Sequence, residues 1–130
     1  MISDDRRESR TKSGDEAFAK QEHLLKTKDF RKVYKDGRSY KADFVILRLL
    51  PNAASMNRVG FSISAKSIKR AFRRNRIKRL FREAYRKNKK ILKKGFDIVF
   101  VVRRDTKENF SYAEAQRLFL GLSKQAGILL

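Results

Sequence analysis

The sequence of 130 residues has no cysteine and no tryptophan, and only one proline and one histidine. Without cysteine, the chain cannot form a disulfide, a thiolate nucleophile or a cysteine-bound zinc or iron–sulfur site. The longest apolar runs, 44–47 and 98–102, are far too short to span a membrane, and residues 1–23 lack the apolar stretch of a secretion signal. We therefore expect a soluble cytoplasmic protein whose stability comes from a packed core.

Acidic residues are also scarce. The chain has 34 Lys and Arg against 14 Asp and Glu, a formal net charge of +20. Residues 66–94 alone contain fifteen basic residues and one acidic residue, Glu83. A compact body with this charge repels itself unless an anionic partner neutralises it, so the composition favours a polyanion such as nucleic acid.

Apolar residues make up 41% of the chain, and ten Phe and four Tyr are among them, which is enough to build a core. The first 23 residues, by contrast, mix five basic with six acidic side chains and show almost no apolar periodicity. This pattern predicts a mobile tail over residues 1–23 and a single α+β domain over residues 24–130.

The apolar spacing predicts an α+β sandwich of three helices on a small mixed sheet, in the order helix, strands, helix, strand, helix. Thr27 can cap a short helix that ends at Gly37, and Ser111 with Glu114 forms a capping box for the last helix. A long amphipathic helix carries its apolar stripe from Ile77 onward and is closed by Gly95. Strands are predicted over 43–50, 58–64 and 96–102, and the crossover between the last two would be right-handed by default.

The start of the long helix is its most basic part. At 100° per residue, Arg70, Arg73 and Arg74 fall on the side of the apolar stripe, but three arginines cannot lie in a core. We therefore expect the first turn to overhang the sheet, so that these guanidiniums project into solvent and can bind phosphate. A solvated basic face and a membrane-surface helix are the alternatives. The absence of zinc-finger cysteines and of zipper heptads favours RNA over DNA.

A second candidate site combines small residues on one strand face, Gly60, Ser62 and Ser64, with the aromatic side chains of Phe30 and Tyr34. Such a trough could hold a single strand by stacking its bases. The alternative is that both rings belong to the core of the first helix. His23 has no Ser or Cys partner at a catalytic spacing, so the sequence shows no active site of its own.

Three segments resemble the protein subunit of bacterial ribonuclease P. They are 28–37, 58–64 and the most specific one, 71–80, which contains the Arg74-Asn75-Arg76 signature. The chain departs from the family pattern at Ser67, Lys69 and Arg70, where lysine, glycine and asparagine are common. The resemblance spans roughly residues 24–127.

The resemblance implies a fold and a function. The fold is an α+β sandwich with a small mixed sheet in the order α-β-β-β-α-β-α, like the second domain of ribosomal protein S5, with a left-handed crossover. The function is removal of the 5′ leader from precursor tRNA, with hydrolysis carried out by an RNA subunit that holds Mg²⁺. One protein would assist each RNA, with no DNA or membrane partner. A structural RNA-binding protein, such as a ribosomal protein, is the alternative.

The resemblance also implies two sets of site residues. The set facing the catalytic RNA is Arg70, Arg73, Arg74, Asn75, Arg76, Lys78, Arg79 and Arg82. The set binding the leader is Phe30, Tyr34, Leu47, Ser62 and Lys66.

Overall fold

The computed structural model describes residues 22–23 and 26–130, and the predicted order of elements is confirmed. The helices are α1 (Thr27–Asp36), α2 (Ala71–Asn88), which continues into a short 3₁₀ turn (Lys89–Ile91), and α3 (Tyr112–Gln125). The strands are β1 (Arg38–Ala42), β2 (Val45–Pro51), β3 (Arg58–Ile63) and β4 (Phe96–Val102). None of the described helices has the length and apolarity needed to cross a membrane.

The four strands form one mixed sheet in the order β1-β2-β4-β3. β2 is antiparallel to both of its neighbours, whereas β3 and β4 are parallel and are joined through α2. Because β4 is central and covered on both faces, it is almost entirely apolar. Its one charged residue, Asp97, is 4% exposed and receives two hydrogen bonds from Arg58, at 2.8 and 2.7 Å.

Helices α2 and α3 cover one face of the sheet and form the main core. Ile77, Phe81 and Tyr85 of α2 lie on a single helical stripe and are almost completely buried. Aromatic rings fill the space between the layers, with the Phe100 centroid 5.9 Å from that of Phe81 and 5.4 Å from that of Phe119. Most of the apolar burial therefore lies on this side.

Among the described elements, α1 alone packs on the opposite face. Its buried centre consists of Val33 and Val99, with Phe30, Leu50 and Val101 packed around them. One ten-residue helix cannot cover a four-stranded sheet, so part of this face stays accessible. This accessible part of the face is a candidate binding site.

Several predicted boundaries are correct, and others shift. The limits of β4 agree with the prediction, and the capping box is present, with the Ser111 hydroxyl accepting from the Glu114 N–H and the Glu114 carboxylate accepting from the Ser111 N–H. Strand β1 has no clear apolar alternation because it is a mostly exposed edge strand. Thr27 is inside α1 and does not cap it, and α2 ends at Asn88, well before Gly95.

The predicted tail extends too far into the domain. Glu22 is 7% exposed and accepts hydrogen bonds from the Tyr85 hydroxyl and the Lys89 ammonium, both at 2.7 Å. His23 forms a parallel bridge with Val59 at the edge of β3. Both residues belong to the folded body because ion pairing and strand pairing hold them there. Residues 1–21 of the predicted tail lie outside the described residues.

The turn from α1 into β1 depends on a glycine. A Cβ at Gly37 would lie 2.5 Å from the carbonyl oxygen of Val33 and 2.9 Å from that of Leu49. We expect Gly37→Ala to lower the free energy of unfolding by about 1–3 kcal/mol, because both contacts are with backbone. Gly121→Ala, in α3 with open space around it, should raise it by about 0.5–1 kcal/mol. Urea unfolding of both variants checks this, and equal effects would contradict the steric explanation.

Candidate nucleic-acid interface

The first three turns of α2 expose a dense cationic surface. Arg70 at the N-cap and Asn75, Arg76 and Arg79 within the helix are exposed, while Arg74, Lys78 and Arg82 are half-buried. The first turn contains no acidic residue. Burial, together with the nearby Arg74 charge, lowers the pKa of Lys78. Mutual repulsion of this kind is relieved when phosphates lie between the cations.

Arg73 does not take part in this exposed surface. It is 7% exposed, and its Nη2 atom lies 2.8 Å from Asp105 Oδ1 and also donates to the carbonyl oxygens of Thr106 and Lys107. The expectation that its guanidinium projects into solvent is therefore wrong. The reason is that the loop between β4 and α3 supplies a carboxylate and carbonyls that satisfy the buried charge. Arg73 therefore holds this loop against the start of α2 through its hydrogen bonds.

Two signature arginines are partly held by the protein itself. Arg74 Nη1 donates to the carbonyl oxygens of Ile68 and Lys69 at 2.8 and 2.9 Å, and Arg76 Nη2 donates to that of Phe110 at 3.0 Å. These bonds fix one nitrogen of each guanidinium. Arg76 is exposed and Arg74 is half-buried, so each guanidinium group is held in one orientation but can still be reached by a ligand. Of the three arginines expected to project, Arg70 alone does so fully.

The loop between β3 and α2 is ordered without the glycine that is common in the resembled family. The Ser64 hydroxyl accepts from the Ser67 N–H at 3.1 Å and lies 3.0 Å from the Ser67 hydroxyl. Among the described residues other than glycine, positive φ occurs at Asp43 and Ala53, so Lys69 has an ordinary backbone conformation. The local geometry therefore tolerates a lysine at this position.

The open part of the α1 face forms a shallow cleft. Its floor is a row across three neighbouring strands, in which Ser62 pairs with Val101 and Val101 pairs with Ile46. All three are half-buried. Val101 also packs against the Val33 and Val99 cluster, which places the row beside α1. Apolar and small polar groups on such a floor suit the faces of bases.

The predicted leader-binding residues divide between the two faces of the sheet. Phe30 is half-buried and Tyr34 is 39% exposed beside the floor, while Lys66 is exposed beyond the end of β3. Leu47 is fully buried in the main core and cannot line the cleft. The assignment of Leu47 is wrong because side chains alternate along a strand, so that Ile46 and Arg48 face α1 instead.

Arg48 is a cleft residue that sequence reasoning missed. Its guanidinium carbon lies 5.4 Å from the centre of the Tyr34 ring, and its Nη1 and Nη2 atoms donate to the Ser39 hydroxyl and the Tyr34 carbonyl. These contacts fix the Tyr34 ring in place. An isolated arginine in an apolar run (Val45 to Leu50) is the signal that could have identified it. It adds positive charge at one end of the cleft.

Groups for catalysis or metal binding are few. Within the described part of the chain, no three His, Asp or Glu side chains gather where they could hold a metal ion. Asp97 and Asp105 are instead used in ion pairs with arginines. These two carboxylates therefore contribute to holding the fold together.

The chain matches the model of a known protein family. The family model described as Ribonuclease P matches residues 18–127. The chain is 37% identical over 110 residues to the "Ribonuclease P protein component" of Clostridium botulinum (strain Loch Maree), covering 84% of this chain and 97% of that protein. It is 41% identical over 106 residues to that of Alkaliphilus oremlandii, covering 82% and 91%.

Solved structures with the same fold also come from this family. The ribonuclease P protein of Staphylococcus aureus superposes with a TM-score of 0.74 at 25% identity, covering 84% of this chain and 98% of that one. The Thermotoga maritima protein superposes with a TM-score of 0.68 at 28% identity, covering 80% and 96%. The similarity therefore extends over nearly the whole of each relative.

The ion pair between Arg73 and Asp105 generates a stability prediction. We expect Arg73→Met to lower the free energy of unfolding by about 1–3 kcal/mol, because it removes the buried guanidinium that donates several partly buried hydrogen bonds to the loop. Asp105→Asn should cost less than about 1 kcal/mol, since Asp105 is half exposed and the carbonyl acceptors remain.

The pH dependence tests the same pair. Arg73 holds the pKa of Asp105 below its usual 3.8, so the pair stabilises the fold above about pH 4 and is lost as the pH falls through the folded-state pKa. The difference between wild type and Asp105→Asn in thermal unfolding should therefore shrink with acid. A difference independent of pH would contradict the ion pair.

Proposed function

The chain belongs to the ribonuclease P protein family, and from this premise we propose that it is the protein subunit of a bacterial ribonuclease P. In this proposal it binds the catalytic RNA and precursor tRNA, and the holoenzyme hydrolyses the phosphodiester that joins the 5′ leader to the mature tRNA. The protein supplies binding and orientation, and the RNA carries the chemistry. One protein acts with each RNA, in the cytoplasm where precursor tRNA is made.

The exposed cations of α2 are the observation that supports RNA binding most strongly. Arg70, Arg76 and Arg79 lie in solvent on the first turns, and Arg74 is oriented beside them by the loop carbonyls. Guanidinium forks bind phosphate with two parallel hydrogen bonds, and each phosphate contact releases counterions from the RNA. We assign this surface to the folded catalytic RNA, whose phosphates are close together.

The cleft beside α1 suits a different kind of RNA. Its floor of Ser62, Val101 and Ile46 is shallow and has little charge, and the Tyr34 ring stands at its side. Unpaired bases can stack there, whereas the bases of a duplex are not available for stacking on protein. We assign the cleft to the single-stranded 5′ leader, with Arg48 and Lys66 near its phosphates.

These two surfaces define what the protein contributes to the reaction. Mg²⁺, when bound by the RNA subunit, activates the attacking water and stabilises the leaving oxygen. The described residues of the protein do not assemble a metal site of three or more His, Asp or Glu ligands. Their contribution is to hold the leader and to offset phosphate repulsion, which raises substrate affinity and lowers the Mg²⁺ concentration that the RNA needs.

Reconstitution with ribonuclease P RNA tests the proposal. We expect the protein alone to leave precursor tRNA uncut, and the protein with the RNA to cleave it at a lower Mg²⁺ concentration than the RNA requires alone. Arg79→Ala should raise the Mg²⁺ midpoint because it removes an exposed phosphate-binding group. Lys124→Ala, an exposed cation at the far end of α3, is the matched control and should not.

The Mg²⁺ titration distinguishes the proposal from its alternative. If the wild-type protein binds this RNA but leaves the Mg²⁺ midpoint unchanged, the chain is a structural RNA-binding protein and not a subunit of the enzyme. If Arg79→Ala and Lys124→Ala behave alike, the first turns of α2 are not the interface.

A further inference from the structure

Phe72 is an aromatic side chain that the fold does not use. It lies in the first turn of α2 and is 62% exposed, whereas Phe81, on the core stripe of the same helix, is 1% exposed. A phenylalanine left in water forgoes the stabilisation that burial would give it. The apolar stripe of α2 already covers the sheet without it, so the ring is available to a partner.

The ring of Phe72 is paired with a cation. The guanidinium carbon of Arg70 lies 6.0 Å from the centre of the ring, within the range of a cation–π contact. This contact leaves most of the ring accessible to solvent. An aromatic ring and a guanidinium plane are the two groups on which proteins most often stack unpaired nucleobases.

Three polar side chains that can bind a nucleotide lie on the same face of α2 as Phe72. Asn75, Arg76 and Arg79 follow Phe72 at i+3, i+4 and i+7, and all three are exposed. The Asn75 amide carries a donor and an acceptor that could bind the edge of a base stacked on Phe72. The two arginines continue along the helix, where the flanking phosphates of the same strand would lie.

The charges around this face decide which partner it fits. The one acidic residue of α2, Glu83, lies beyond the first three turns and is ion-paired with Arg86. A partner that combines flat apolar surface with closely spaced negative charge is RNA. A protein partner would need a surface patch that is both acidic and apolar. Binding to a lipid surface would require a longer exposed apolar stripe on α2 than a single phenylalanine provides.

We propose that Phe72 stacks on an unpaired base of the ribonuclease P RNA and that Asn75 binds the edge of that base. The proposal rests on the proposed function and makes it more specific, because the start of α2 then recognises a bulged or looped nucleotide and not only phosphates. A duplex presents no free base face, so this site selects a position in the RNA fold where a base is extruded.

Fluorescence offers a direct test, because the chain contains no tryptophan. Phe72→Trp keeps a ring at the site and makes it the only tryptophan emitter. We expect its emission to be quenched on addition of ribonuclease P RNA, since a stacked base quenches an indole, and to change little with polyphosphate of equal charge. Ile91→Trp is the matched control, 45% exposed among lysines in the 3₁₀ turn that follows α2, and should not be quenched by either.

Affinity measurements give a second readout. Phe72→Leu, which keeps apolar bulk but has no ring, should weaken binding to ribonuclease P RNA by about tenfold. Phe72→Tyr should bind within about twofold of wild type. Equal losses in the two variants would overturn the stacking proposal, as would unchanged binding by Phe72→Leu.

The outcomes separate this inference from the proposed function. If the RNA binds tightly while the emission of Phe72→Trp is unquenched, the stacking site is wrong and the family function stands. If none of the variants, nor the wild type, binds the RNA, the proposed function itself fails. A blue shift with vesicles of anionic phospholipid, together with unquenched emission in RNA, would overturn the inference in favour of a lipid surface.

Discussion

The unequal covering of the two faces of one sheet is the constraint on which the rest of the molecule depends. Helices α2 and α3 bury one face against a large aromatic core, while α1 covers only part of the other through Val33 and Val99. The main core therefore supplies most of the stability. Because it does, the α1 face can stay partly open, with the row of Ser62, Val101 and Ile46 accessible to a ligand.

Two ion pairs hold neighbouring elements of the fold together, one between Asp97 and Arg58 and one between Asp105 and Arg73. These pairs fix β3 against β4 and the β4–α3 loop against α2. Exposed cations lie densely on the first turns of α2, on the main-core side of the sheet, and further exposed cations lie on α1. The proposed function assigns the folded RNA to this side of the sheet and the single-stranded leader to the other.

How far the sequence could predict this structure depends on whether the signal was local. The limits of β4 and the capping box of α3 were predicted because apolar runs and Ser111-to-Glu114 spacing are local. The burial of Arg73 was not, since its partner Asp105 is 32 residues away and only the tertiary fold brings them together. The face of Leu47 cannot be predicted locally, because Val45 to Leu50 is apolar at every position except Arg48 and the alternation has no clear phase. The exposure of Phe72 cannot be predicted either, since a single ring has no periodic pattern.

The most direct test of the central claim, that opposite faces of the sheet bind different RNA, is photocrosslinking in the reconstituted complex. Precursor tRNA carrying 4-thiouridine in its leader is irradiated with the protein and ribonuclease P RNA, and crosslinked peptides are mapped. The account predicts crosslinks in α1 and in the strand segments around Ile46, Ser62 and Val101. Leader crosslinks confined to α2 and α3 would contradict it.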